Sequence, residues 1–406
     1  MRLLHTSDWH VGRTFHGYST LEAARTVLGA IPALVREHRI DVVIVAGDVY
    51  DLTNPSADAV AVLQEALVAI TQTGAKVIVT SGNHDSAVRL GFAGPFTAAA
   101  GLHLVTDATT VGTPIELTDE HGTVDVYGLP YLQPELVRHL PWAPSDARTQ
   151  RDVVTAAMDR VRASIAERAT TNTDADPSTS NSPTRRTVAI AHTFVAGAET
   201  ESSDSERAIT KAPLVAGGVD AVPVNAFDGV DYVALGHIHG RAKLAEGIRY
   251  SGAALHYSFK EAGKPRGGWL VELGARGVET IEWVDLPVPR ALKEIRGTFD
   301  ELLTAEEWAP FTEHYVRAVY TDKNKQLEPL QRLRARFEHC AEVVHEPTER
   351  TAASTASYAE RVKGKSDPEV IESFLVDVRS GDGPTATEQR ILDAVIAERD
   401  AEVQLG

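Results

Sequence analysis

Five short clusters of aspartate, asparagine and histidine each close an apolar run in this chain. The run Ala75-Lys76-Val77-Ile78-Val79 leads into Ser81-Gly82-Asn83-His84-Asp85. Asn83 and His84 are adjacent, so on a strand they would point to opposite faces, whereas in a turn both can face one site. Residues 3–7 lead into Asp8-Trp9-His10, and residues 41–46 into Gly47-Asp48. Residues 187–191 lead into His192, and 231–235 into Gly236-His237-Ile238-His239. Asp8-x-His10 and His237-x-His239 share a period of two, which on a strand end puts both members on one side.

The candidate set is therefore Asp8, His10, Asp48, Asn83, His84, His192, His237 and His239. Hard oxygen and imidazole nitrogen without thiolate suit Mn²⁺, Fe²⁺, Mg²⁺ or Zn²⁺, and not a structural zinc site of the cysteine type. Eight such groups exceed the needs of one ion. Two ions bridged by a carboxylate, roughly 3.5–4 Å apart, would use them and form a clamp for in-line displacement at phosphorus. Each cluster alone reads as an ordinary turn, Gly-Asn-His-Asp as one of the Asx type. Gathered on one rim without a cation, the histidines and aspartates would be left repelling or desolvated.

The elements that would position these groups follow from the pattern. Short, near-continuous apolar runs are strands buried on both faces. Helix-like stretches at 21–39 and 57–71 separate the first three, with Pro32 expected to kink the first. Strand–helix alternation predicts an α/β fold with a mostly parallel sheet covered on both faces. In such sheets, sites form at the carboxyl ends of the strands, where all five clusters lie. A helix-like run at 151–168 is followed by "TTNTDADPSTSNSPTRRT", residues 170–187, which reads as a disordered surface insertion. Strand-like runs resume between 249 and 283.

Near Leu286-Pro287-Val288-Pro289 the chain changes domain. A small α/β domain follows, with a strand at 314–320, a helix at 327–342 and a further strand. Its pattern breaks down near 351–366. After Gly381-Asp382-Gly383-Pro384 comes a last amphipathic helix at 386–403, with Ile391, Leu392, Val395 and Ile396 on one face. The division expected is 1–285, 286–380 and 381–406. There is no internal repeat.

The chain has 406 residues, enough for two or three domains, and its 43% apolar content is ordinary for a globular protein. Its single cysteine, Cys340, excludes an intramolecular disulfide and fits a reducing compartment. No apolar segment is long enough for a signal peptide or a membrane span, so a soluble cytoplasmic protein is expected. The net charge of −17 argues against a nucleic-acid partner, unless the charge is segregated or bound cations reset the local field.

As a set, the five clusters resemble the calcineurin-like metallophosphoesterase pattern. Four segments are similar, more narrowly, to the SbcD family of nuclease subunits: "DWHVGRTFHG", "AGDVYD", "ESSDSER" at 201–207 and "YSGAALHYSFKE" at 250–261. The resemblance covers about the first 285 residues. The fold it implies is a sheet-and-helix sandwich with a smaller α/β capping domain and a C-terminal helical tail. It implies that Asp8, His10, Asp48 and His239 hold one metal and that Asp48, Asn83, His192 and His237 hold the other, with Asp48 bridging. It makes His84 a catalytic residue facing the scissile phosphate, and the metals Mn²⁺, with Mg²⁺ or Fe²⁺ compatible. The activity implied is exonuclease on double-stranded ends and endonuclease on hairpin or single-stranded DNA. The implied partners are DNA, a second copy through helices that include 57–71, and a coiled-coil ATPase of the SbcC type bound by the last helix. Lys260, Lys264 and Arg266 are expected to grip DNA. A phosphomonoesterase or cyclic-nucleotide phosphodiesterase of the same superfamily is the alternative, and a scaffold that has lost its metals is a second.

Overall fold

The computed structural model describes residues 1–171, 185–197, 221–348, 363–379 and 383–405. Most of the Thr/Ser-rich stretch, at 172–184, and the 201–207 segment lie outside the described residues. The chain divides into two compact units, Met1–Ala291 and Leu292–Gly406. No helix among the described residues is long and apolar enough to cross a membrane.

The first unit holds two six-stranded sheets, where one was expected. In the first, the order is Gly277–Asp285, Gly267–Gly274, Arg2–Thr6, Val42–Ala46, Lys76–Thr80, Leu102–Val105. In the second it is Ala242–Ala245, Ile248–Tyr250, Tyr232–Gly236, Arg186–His192, Gly122–Gly128, Ile115–Asp119. The central pairs are parallel; antiparallel strands close both margins of the second sheet and one margin of the first, whose other edge, Leu102–Val105, pairs parallel.

Period-two alternation explains the layering. Leu3, Val42, Ile44 and Ile78 face Val188, Ile190, Tyr232 and Ala234 in the core between the sheets. Their neighbours Leu4, Val43, Val45, Val77 and Val79 face outward, with Val27, Ile31, Val62 and Ile70 of the helices Leu21–His38 and Ala57–Thr71. Ala189, Ala191, Val233 and Leu235 pack with Val154, Met158 and Val161 of the helix Gln150–Thr171. Both faces of the central strands are thus buried, which is why they read as unbroken apolar runs. Leu21–His38 passes through Pro32 without ending there.

A histidine sits inside this sandwich. His5 is fully buried, with Nδ1 2.8 Å from the Tyr232 hydroxyl and Nε2 3.1 Å from the Leu235 carbonyl. A carbonyl only accepts, so Nε2 donates and Nδ1 accepts from the tyrosine, which describes a neutral ring. Burial pushes His5 down to about 3 from its ordinary 6.5. The unfolded chain therefore takes up a proton below pH 6.5 that the folded chain refuses. Stability from this group falls as pH drops from 6.5 toward 3, by about 1.4 kcal/mol per pH unit in that window. With metal chelated, His5→Gln is expected to lose less thermal stability between pH 7 and pH 5 than the parent. An equal loss in both proteins would place the acid sensitivity elsewhere.

The second unit is a three-stranded parallel sheet, Leu292–Gly297, Tyr315–Tyr320 and Cys340–His345. The helix Phe299–Thr304 opens with a capping box of Thr298 and Glu301. The helix expected at 327–342 is only Pro329–Arg334. Cys340–His345 instead pairs with the central strand, where Val343 and Val344 suit the pleat. Two helices, Asp367–Val378 and Ala386–Leu405, complete the unit, joined by ion pairs Arg379–Glu388 and Arg399–Asp367.

Candidate metal centre

The strand ends Thr6, Ala46, Thr80, His192 and Gly236 lead into one buried cluster, drawing on both sheets. The loop after Thr6 runs alongside the loop after Ala46. Asp8 N donates to Gly47 O at 3.1 Å, His10 N to Asp48 O at 2.9 Å, and Val11 N to Val49 O at 2.9 Å. To turn their side chains inward, Asp8, His10, Asp48 and His237 take φ of 51°, 43°, 51° and 99°. Non-glycine residues rarely adopt that region, and such strain gathers at functional sites.

The sheets pinch together here, and glycines permit it. A Cβ on Gly236 would stand 1.8 Å from the Ala46 carbonyl oxygen, and one on Gly82 would stand 2.1 Å from Asp48 Oδ1. Asp85 clamps the last turn, accepting from Val49 N, Tyr50 N and Gly82 N at 3.1, 2.9 and 2.9 Å. The sequence pattern assigns Asp85 no role of its own.

Donor atoms converge in two groups. Asp8, His10 and His239 offer ligand atoms within 4.8 Å of one another, as do Asp8, Asp48 and His192. Asp48 reaches both sides. Its Oδ2 lies 3.1 Å from His192 Nε2 and 3.7 Å from His10 Nε2, while Oδ1 accepts from His84 N at 2.9 Å. Asn83 Oδ1 stands 3.0 Å from His192 Nε2 and 3.1 Å from His237 Nδ1.

The chemistry of this set fits cations. His192 Nδ1 donates to the Ala46 carbonyl at 2.9 Å, which leaves Nε2 as a lone pair beside the Asn83 and Asp48 oxygens. Nε2 of His10 and Nε2 of His239 face each other at 3.1 Å, while each ring turns Nδ1 toward a carboxylate. Lone pairs gathered this closely repel unless a positive charge lies among them. Protons otherwise take that part. Burial opposes a charged His192, but Asp48 and Asp8 outweigh it and push the imidazole up to about 9. Burial also raises Asp48, yet His192 more than reverses this and holds the carboxyl well below its usual range.

His84 is placed differently. Its Nδ1 donates to the Asp51 carbonyl at 2.7 Å, and its buried Nε2 has no hydrogen-bond partner among the described residues. The ring meets that of His10 edge-on at 4.7 Å. His10, Asp48 and His84 also offer donor atoms within 4.8 Å of one another, so geometry alone permits His84 as a ligand.

The three basic residues expected on DNA do not stay together. Lys260 is exposed and Lys264 half-buried. Arg266 is buried, with its guanidinium donating to the His239 carbonyl at 2.6 Å and paired with Glu261 at 3.1 Å. It braces the site from inside and is not a surface contact.

Residues 1–241, more than half of the chain, match the family model described as calcineurin-like phosphoesterase. The chain belongs to the calcineurin-like phosphoesterase family. Residues 288–379 match the SbcD C-terminal model, described as a type 5 capsule protein repressor C-terminal domain. The two matches in this order support the resemblance to SbcD-type chains.

Among solved structures, a protein of Thermus thermophilus is 13% identical, over 70% of this chain and 98% of its own, with a TM-score of 0.36. A dimetal phosphatase from Danio rerio is 12% identical, over 71% of this chain and 99% of its own, with a TM-score of 0.37. GAP50, the anchor in the inner membrane complex of Plasmodium, is 11% identical, over 86% and 98%, with a TM-score of 0.35. The buried Asp/His cluster of this phosphoesterase fits a dinuclear metal centre.

Proposed function

We propose that this phosphoesterase is a metal-dependent DNA nuclease, acting in the cytoplasm in repair, recombination and replication with a coiled-coil ATPase of the SbcC type. It would work as an exonuclease on double-stranded ends and as an endonuclease on hairpin or single-stranded DNA. The observation that carries this reading is the second matched region, residues 288–379, which follows the phosphoesterase match. The phosphomonoesterase alternative rests on the catalytic unit alone.

Asp8, His10, Asp48 and His239 would hold one ion and Asp48, Asn83, His192 and His237 the other, both assigned as Mn²⁺. When bound, such a pair of ions supplies Lewis acidity and a metal-activated hydroxide at neutral pH. The chain's own contribution is to exclude bulk water, to orient the phosphodiester, and to offer His84 Nε2 to the leaving sugar oxygen. The net charge of −17 is compatible with DNA because the ions, Lys260, Lys264 and the ATPase would meet the phosphates.

Two surfaces support the proposed partners. On the helix Ala57–Thr71, Leu63 and Ile70 pack inward, but Val60 and Val68 are exposed and line a cavity with Ala93 and Thr97, whose chain neighbours Phe92 and Phe96 are 82% and 81% exposed. An apolar patch of this kind suits a second copy. On the helix Ala386–Leu405, Ile391 and Val395 are exposed, which suits a partner helix.

The test uses purified full-length protein with linear, hairpin and closed circular DNA, with Mn²⁺ or EDTA, and with or without the ATPase and ATP. Mn²⁺-dependent cleavage that EDTA abolishes and the ATPase stimulates is expected. Hydrolysis of phosphomonoesters or cyclic nucleotides with intact DNA would favour the alternative. Neither hydrolysis nor bound metal would favour a scaffold.

A further inference from the structure

His10 and His239 are each backed by a carboxylate that an arginine holds in turn. Behind His239 stands Glu261, its Oε1 3.5 Å from Nδ1. Glu261 Oε2 accepts from Tyr257 N at 3.0 Å and pairs with Arg266 Nη2 at 3.1 Å. Arg266 closes the loop by donating to the carbonyl of His239 itself. Behind His10 stands Asp51, its Oδ1 3.5 Å from Nδ1 and 3.7 Å from Arg13 Nη1. The Tyr257 ring lies between the two assemblies, 5.4 Å from the His10 ring and 5.6 Å from the His239 ring, with Arg13 over its face. The opposite side of the centre is built otherwise. His192 is backed by a neutral carbonyl, and His237 turns Nδ1 to Asn83.

Glu261 and Arg266 are 0% and 3% exposed. A buried ion pair is a poor stability device, because desolvation offsets most of its attraction. Its position here gives it another task. A carboxylate behind a ligating imidazole fixes the ring's tautomer and orientation and raises the basicity of the far nitrogen. Because arginines neutralise both carboxylates, they add little net charge to the centre, and their influence runs through the rings they hold.

From this geometry we infer that Glu261, braced by Arg266, and Asp51, braced by Arg13, are positioning residues that set the affinity of one divalent-cation position only, the one faced by Asp8, His10 and His239. This rests on the two-metal reading above. The two positions then depend on different supports, and one can be loosened while the other stays filled.

The experiment titrates metal-free full-length protein with Mn²⁺ and follows free Mn²⁺ by electron paramagnetic resonance. The parent is expected to bind two ions. Glu261→Gln and Asp51→Asn are each expected to weaken one ion by about 10–100-fold and leave the other unchanged. A merely structural role would weaken both together or lower the thermal midpoint of the metal-free protein instead. Unchanged binding, or equal loss at both positions, overturns the inference. A parent that binds no Mn²⁺ overturns the two-metal reading as well, and that outcome is visible before any variant is made. Should Glu261→Gln fail to fold, Asp51→Asn decides alone, since its side chain is partly open to solvent.

Discussion

Asp48→Ala is expected to empty both metal positions and to abolish hydrolysis. Asp48 lies within reach of both sides, 3.1 Å from His192 Nε2 and 3.7 Å from His10 Nε2. Its removal takes from His10 and His192 a carboxylate that faces both, so each position loses a charged ligand and the bridge together. The Lewis-acid contribution at stake is several kcal/mol, which at about 1.36 kcal/mol per decade is on the order of 10³-fold or more in rate. Asp48→Asn separates charge from shape. An amide oxygen can still accept from His84 N, as Oδ1 does at 2.9 Å, but it cannot serve as an anionic bridge. Elemental analysis of both variants, beside hydrolysis of a bis-nitrophenyl phosphodiester, checks this. Two ions per chain with parental turnover in Asp48→Ala would end the bridged two-metal reading.

Much of this centre could be read from residue types at strand ends. The runs before Asp8, Asp48, Asn83, His192 and His237 are mostly apolar and buried on both faces, so each strand ends where the polar cluster begins. What could not be read is the sheet each run joins. Val42–Ala46 and Tyr232–Gly236 look alike as sequences, yet they lie in facing sheets, because pairing is set by register between segments far apart in the chain. The same limit hid the supports. Glu261 and Asp51 were visible only as letters inside longer segments, since the imidazoles they back lie elsewhere in the chain. The place of Arg266 is hidden from the sequence for a related reason. A basic residue after Lys260 and Lys264 reads as solvated, and only the fold brings the Glu261 carboxylate beside it. The left-handed backbone at Asp8, His10, Asp48 and His237 has no signature in residue type either. The helix Pro329–Arg334 is shorter than its pattern suggests because a helical apolar period carries on into residues that the sheet claims.

His84→Ala tests the other half of the reading, and its expected signature is a rate defect without a metal defect. The ring is anchored at Nδ1 by the Asp51 carbonyl, and its backbone N–H is held by Asp48, so the residue has a fixed direction. Nε2 then points to a place where the described residues offer no hydrogen-bond partner. With Nδ1 donating to a carbonyl, Nε2 has a proton to give in the imidazolium form, and a ring held in that way then suits proton donation to a leaving oxygen, which typically contributes about 10²–10⁴-fold. The loss should depend on the leaving group. A sugar alkoxide is strongly basic and needs the proton, whereas nitrophenolate leaves readily without one. His84→Ala is therefore expected to lose about 10²–10⁴-fold on DNA and much less on the nitrophenyl diester, with two ions still bound. Equal losses on both substrates would point to substrate positioning instead. Loss of an ion would make His84 a ligand with His10 and Asp48, an arrangement the distances permit, and would overturn the division of labour between Asn83 and His84.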